Sequence, residues 1–235
     1  MTRVSTIENE LRRIIADHQA SGTPLPSERT LAQMLHTSRN TIRRIFGQFR
    51  KDGLIQSHQG RGTFAGEPPI TMDMATLTSF TEGTRLSGKV PASEVLLTEV
   101  IRATPRLSES LHLTVHAPVV HVVRRRLANG VVVSLEDSFF PHEIVPTLLD
   151  WDLSRYSIYE LMTTQFNARP IRAVQRLDAV AAGQMESEAL EVRLRSPLIR
   201  ITREAYDAND RLVEFAHDLF RPDRIQFVAH SKVQS

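Results

Sequence analysis

Arg124 and Arg126 stand two residues apart in a run rich in valine. On an extended strand, alternate side chains leave the same face, about 7 Å apart. Two guanidiniums so placed offer forked donors that suit a phosphate or a carboxylate. Glu136 follows across Asn129-Gly130, a hairpin dipeptide. A two-residue loop there pairs residues whose numbers sum to 259 and sets Glu136 opposite Val123. A three-residue connection or a bulge pairs residues summing to 260 and sets Glu136 opposite Arg124. A shared pocket needs the second register, or another route bringing both side chains to one side. The competing reading is a solvated stripe balanced by Glu136 and Asp137, because Arg125 breaks the alternation.

A second constellation lies near the amino end. Thr37-Ser38-Arg39-Asn40-Thr41-Ile42-Arg43 puts short polar and arginine side chains at a helix start, the composition a major-groove helix needs. Gly60-Arg61-Gly62 makes a tight turn whose backbone can approach a duplex closely. His112, His116 and His121 raise a metal reading. Two histidines at i and i+4 need a continuous helix, which Thr114, Val115 and Pro118 oppose, and no third ligand is evident. No metal or cofactor is expected. The absence of cysteine excludes a disulfide scaffold, a zinc finger and a thiol nucleophile. No nucleophile–base pair is visible, so an enzyme is not expected.

These groups need elements to hold them. The chain has 235 residues, 41% hydrophobic and 24% charged, enough for one large or two small domains. No stretch approaches the 18 apolar residues of a membrane span, and the start lacks a signal-peptide core. A cytoplasmic protein is expected. Residues 1–66 carry ten Lys and Arg against five Asp and Glu, a balance of +5, while the remainder carries nineteen against twenty-two, −3. A polyanion partner for the first part alone fits that asymmetry. Ser5 and Glu8 read as a capping box before Ile7, Leu11, Ile14 and Ile15, one helix face. Ser27 caps a second helix, a third begins near Ser38 and ends at Gly53, and a two-stranded ribbon follows over 54–64. Gly47, inside the third helix, has no functional account.

Residues 67–78, with Pro68-Pro69 and no period, read as a linker and hinge. Residues 79–235 read as an effector-sized α+β domain. Strands are predicted over 95–101, 119–127, 131–140, 171–180, 198–206 and 212–220. Short helices are predicted at Leu148-Leu149, from Ser157 with Glu160 as a second capping box, and over 184–190. Hairpin-joined strands favour an antiparallel sheet with helices packed on it.

Leu25-Pro-Ser-Glu-Arg-x-Leu-Ala32, Ser38-Arg-x-Thr-Ile-Arg43, Gly53-Leu-Ile55 and Gly60-Arg-Gly-Thr-Phe64 resemble the winged helix-turn-helix of GntR-family transcription regulators. That resemblance makes Arg29, Arg39 and Arg43 the main DNA contacts. Ser38, Asn40 and Thr41 support them, and Gly60, Arg61 and Gly62 form the wing tip. The later motifs are Ser79-Phe-Thr-Glu with Gly88, Arg124-Arg-Arg126, Phe140-Pro141, Ser157-Ile-Tyr159, Pro197-Leu198 with Arg203, Val213-Glu214 and Arg221-x-Asp-Arg224. They resemble the UTRA effector domain of the HutC subfamily, with its chorismate-lyase-like fold. The resemblance implies that Thr81, Arg124, Arg126, Glu136, Ser157, Tyr159 and Glu214 line one pocket. Phe220 falls where some sugar-binding relatives carry a tyrosine. What the resemblance implies is a homodimeric, ligand-responsive repressor of double-stranded DNA operators, sensing a phosphorylated sugar or amino sugar. The alternatives are a sensed carboxylate, a lyase on the same fold, or an all-helical metal-binding effector domain.

Overall fold

The computed structural model describes residues 3–51, 53–58, 61–66 and 69–231. The chain divides into two units, with the boundary between Pro69 and Ile70.

The first unit contains α1 (Arg3–Ser21), α2 (Glu28–Met34), α3 (Arg39–Lys51) and an antiparallel ribbon of β1 (Ile55–His58) and β2 (Gly62–Ala65). Ile7, Leu11 and Ile15 recur at helical spacing and bury one face of α1. They meet Leu31 of α2, Ile42, Ile45, Phe46 and Phe49 of α3, and Ile55 of β1. Ser27 Oγ accepts the Thr30 N–H at 3.2 Å, so the expected cap forms, and Ser38 Oγ accepts the Thr41 N–H at 3.1 Å and caps the third helix in the same way. Gly53 closes α3 at φ +69°, a conformation costly for any residue with a Cβ. The expected box at Ser5 does not start α1, which already runs from Arg3. Nothing in Arg3-Val4 breaks a helix, so the turn extends past the local cap signal.

A Cβ built on Gly47 would meet nothing within 4 Å. Gly47→Ala should therefore stabilise the unit by about 0.5–1 kcal/mol through helix propensity and unfolded-state entropy. Thermal unfolding should show a higher midpoint, and an unchanged or lower one would refute the prediction.

The second unit begins where a linker was expected. β3 (Ile70–Asp73) pairs in parallel with β10 (Ile225–Val228), and Ile70 and Ile225 are both buried. The expected linker over 67–78 is thus corrected, because 70–73 belong to the second unit. A four-residue strand whose partner lies at the far end of the domain leaves no period in its own sequence. Between these strands run α4 (Phe80–Leu86), β4 (Pro91–Arg102), α5 (Pro105–Leu111), β5 (Pro118–Ala128) and β6 (Val131–Pro141). A 3-10 turn (Leu148–Asp150), α6 (Ile158–Thr164), β7 (Arg172–Ala181), α7 (Gln184–Ala189), β8 (Pro197–Tyr206) and β9 (Leu212–Phe220) follow. Six strands form one antiparallel sheet in the order β4-β5-β6-β9-β8-β7. All six expected strands are present.

The faces follow from alternation along β5. On one face, Val120 and Val122 join Phe140, Leu161, Met162 and Val213 under α6. Ile201, Phe220 and Val133 join Phe80, Ile70 and Ile225 under α4, β3 and β10. On the other face, α5 covers Val119, Leu212 and Phe215. There α7 sits over Leu127, Val132 and Leu198. Both registers weighed for the hairpin occur. Ala128↔Val131 and Leu127↔Val132 pair beside the Asn129-Gly130 turn; then a shift sets Arg126 opposite Ser134 and Arg124 opposite Glu136. The unmatched residue is Val133, a β-bulge.

Candidate DNA face and effector cavity

In the first unit the outward side of α3 presents exposed Arg39, Asn40, Arg43 and Arg44. Asn40 Oδ1 accepts from Arg43 Nη2 at 2.8 Å and orients that guanidinium along the helix. Ser38 and Thr41 are 2.9 Å apart through their hydroxyls and serve the cap. Exposed Arg29 shares a concavity with Arg39 between α2 and α3. The neighbouring Glu28 lies 3.6 Å from Arg50. Arg61 and Gly62 (φ +104°) sit at the start of β2. Gly60 lies outside the described residues.

In the second unit, Thr81, Arg124, Arg126, Glu136, Ser157, Tyr159 and Glu214 all line one cavity. The solvated-stripe reading of the arginine pair fails. Their side chains are only 7% and 3% exposed, and Glu136 Oε2 accepts from Arg124 Nη2 at 2.8 Å. Arg126 lies 3.7 Å from the same oxygen, donates to Thr81 Oγ1 at 2.8 Å, and stacks over Phe80 at 4.7 Å. Its Nε is buried without a partner, a donor aimed at nothing in the protein. Burial pulls the Arg126 guanidinium down to about 10, against the pull of Glu136. Burial pushes Glu136 up, but Arg126 and Arg124 together hold its carboxyl below the usual range.

Among the cavity groups not assigned from the sequence are Arg203, Asp218 and the wall residue Phe80. Arg203 donates to Glu214 at 3.0 Å and lies 2.8 Å from Asp218. Tyr159 also donates to Glu214, at 2.6 Å, and burial pushes that phenol well up. The signal was present, since Glu214, Ala216 and Asp218 alternate on one face of β9 and Arg203 stands opposite Ala216. Ser157 occupies the cap position of α6, but its hydroxyl makes no cap bond. The expected box with Glu160 does not close, and the buried Ser157 faces the cavity wall instead.

Three arginines therefore face three carboxylates around a void of about 50 Å³. That is room for a few waters, so a sugar-sized ligand needs more space than this void alone. An adjoining chamber of about 570 Å³ shares Ser79, Thr81, Ser157 and Tyr159 and opens between α4 and α6. His112 closes α5 in the left-handed region, His116 lies in the following turn, and His121 sits on β5 between Glu99 and Asp137. Among the described residues no group of three or more His, Asp or Glu side chains is arranged so that it could hold a metal ion. No described helix is long and apolar enough to cross a membrane.

Comparison with known proteins agrees with this geometry. Residues 3–65 match the bacterial regulatory proteins of the gntR family, and residues 86–226 match the UTRA domain. The chain is 33% identical over 206 residues to the HTH-type transcriptional repressor NagR of Bacillus subtilis, covering 87% of this chain and 84% of that protein. It is 28% identical over 222 residues to the mannosyl-D-glycerate transport/metabolism system repressor MngR of Escherichia coli, covering 94% and 92%. The crystal structure of PhnF from Mycobacterium smegmatis superposes with a TM-score of 0.72 at 26% identity, covering 97% of this chain and 100% of that one. A winged three-helix head and a sheet domain around a charged cavity define a DNA-binding transcription regulator with an effector domain. The chain belongs to the GntR family and has its HutC-type arrangement, a helix-turn-helix followed by a UTRA domain of chorismate-lyase-like fold.

Proposed function

We propose that this regulator is a homodimeric repressor whose cavity receives a small anionic metabolite, a phosphorylated sugar or amino sugar. The observation that carries this reading is the buried Arg124–Arg126 pair, with the unpartnered Arg126 Nε between Thr81 and Glu136. The guanidiniums take the anion, while Glu136 and Glu214 accept from hydroxyls or an amine. Ligand must favour one arrangement of the two DNA-binding heads, or it switches nothing. Occupancy acts first on α4, because Thr81 would exchange Arg126 for the ligand. The twofold contact is placed at the sheet edges. β4 and β7 are long edge strands with exposed Val95, Leu96, Val100, Val174 and Leu177, and such edges require a cover. A thermal-shift screen of the full chain against sugar phosphates tests the ligand class. Stabilisation by a hexose or hexosamine phosphate, lost in Arg126→Ala, is the expected result; stabilisation by none of them would overturn the class.

Arg29, Arg39, Arg43 and the wing at Gly60, Arg61 and Gly62 are proposed to hold the operator. Arg39→Ala should lose about 1–3 kcal/mol of specific DNA affinity and relax preference at one base position. Competition binding against mutated operators reads both. A uniform loss across sequences would make Arg39 a phosphate contact instead.

A further inference from the structure

The second face of the sheet is covered at one end by α5 and at the other by α7, and between them no described element of the second unit packs on it. A concavity of about 520 Å³ lies there. Its floor is apolar: Val123, Leu135, Leu198, Leu219 and Val180, with Met185 of α7 forming one wall. Met185 is 78% exposed, although it borders this apolar floor. The other end is polar, where Arg106 of α5, Arg200 of β8 and His217 of β9 converge beside Asp137 of β6.

Two carboxylates, Asp137 and Glu186, also line the concavity. Asp137 lies 2.7 Å from His121 Nε2. Glu186 folds back over the start of α7, where a Cβ on Gly183 would lie 2.5 Å from its Oε2. Asp178 takes Arg200 Nη2 at 3.0 Å, but Arg200 Nε is buried and has no partner. His217 Nδ1 lies 3.3 Å from Thr202 Oγ1, which leaves the Nε2 side of the ring for another group. Burial, with Arg200 and Arg106 opposing Asp137, holds this imidazole below its ordinary range and favours the neutral ring.

We propose that this concavity is a second small-molecule site, separate from the effector cavity, for a carboxylate with an apolar body. The volume lies in the range of small-molecule pockets, which are mostly apolar with a few converging polar groups. An apolar floor offers nothing to the hydroxyls of a sugar, whereas a hydrocarbon chain removes it from water. The anionic head then lies among Arg106, Arg200 and His217, with Arg200 Nε as a donor.

Octanoate is the probe, titrated calorimetrically into the full-length protein. One equivalent per chain is expected, undisturbed by inorganic phosphate. Arg106→Gln with Arg200→Gln should weaken it at least tenfold. Met185→Trp, at an exposed position, should fill the groove and do the same. Thr81→Ala, in the other cavity, should leave it unchanged. A carboxylate beside His217 raises that ring's pKa, so NMR titration should show His217 moving up with octanoate. Equal weakening by Thr81→Ala would place octanoate in the effector cavity and overturn the proposal. So would a His217 titration that octanoate leaves unmoved. Absence of binding, with Met185→Trp dissociating the native oligomer, would instead make this face a contact between two copies.

Discussion

Arg124→Ala should lower affinity for a stabilising sugar phosphate by about 10- to 100-fold while leaving operator affinity intact. The magnitude follows from hydrogen bonds to charged groups, each contributing about 1.5–3 kcal/mol. The same substitution carries a stability cost. Glu136 is buried and its 2.8 Å partner disappears. Breaking a buried ion pair on one side costs about 3–5 kcal/mol. Arg126, 3.7 Å away, holds the loss to the low end of that range. Without Arg124, burial pushes the Glu136 carboxyl upward, so part of the lost stability returns at acid pH. Arg124→Ala combined with Glu136→Gln should recover most of the stability and none of the affinity. Urea unfolding and calorimetric titration of the three proteins separate the two effects. Wild-type affinity in a folded Arg124→Ala protein would remove Arg124 from the site.

Affinity for an anionic effector should fall as pH rises through about 7, and Asp218 sets that dependence. Burial pushes its carboxyl up to about 7 against the pull of Arg203, with Glu136 and Glu214 adding repulsion. Its Oδ1 is buried without a partner, which suits a protonated acid. Above about 7 the three carboxylates balance the three arginines, and an incoming anion meets no net positive charge. Below it, Asp218 is neutral and the cavity gains one positive charge. An anion raises this carboxyl further, so binding takes up a proton, and the dependence is at most about tenfold per pH unit. A phosphate monoester titrates near 6, below this window. Asp218→Asn should flatten the profile between pH 7 and 8.5 and raise affinity at the alkaline end. Titrations in buffers of different ionisation enthalpy should show proton uptake in the wild type and none in the variant. Persisting uptake in Asp218→Asn would assign the proton elsewhere. Stability follows the same acid. Its pKa is higher folded than unfolded, so its contribution to stability falls as pH rises from about 4 to 7. Asp218→Asn should abolish that slope.

The parts of the fold legible in the sequence were those whose cause is local. The cap at Ser27, the start of α3 near Ser38, the positive φ of Gly53, the Asn129-Gly130 turn and the alternation of six strands all depend on neighbouring residues alone. Local signals also went unread: Thr104 before Pro105 caps α5, with Thr104 Oγ1 accepting the Leu107 N–H at 3.3 Å. Others misled. Ser5 carries a cap signal inside a running helix, and Ser157 sits at a cap yet leaves its hydroxyl for the cavity.

By itself the sequence determined a basic head, an antiparallel sheet and the facing of Arg124 with Arg126, since a two-residue period is a property of the strand. Tertiary structure decided the rest. The bulge at Val133 brings Glu136 opposite Arg124, and Arg203 joins Glu214 and Asp218 from a neighbouring strand. Ile70 finds Ile225 only when the ends of the second unit meet. Register and ion pairing across strands depend on what packs against each face, and no stretch of sequence records its distant neighbour.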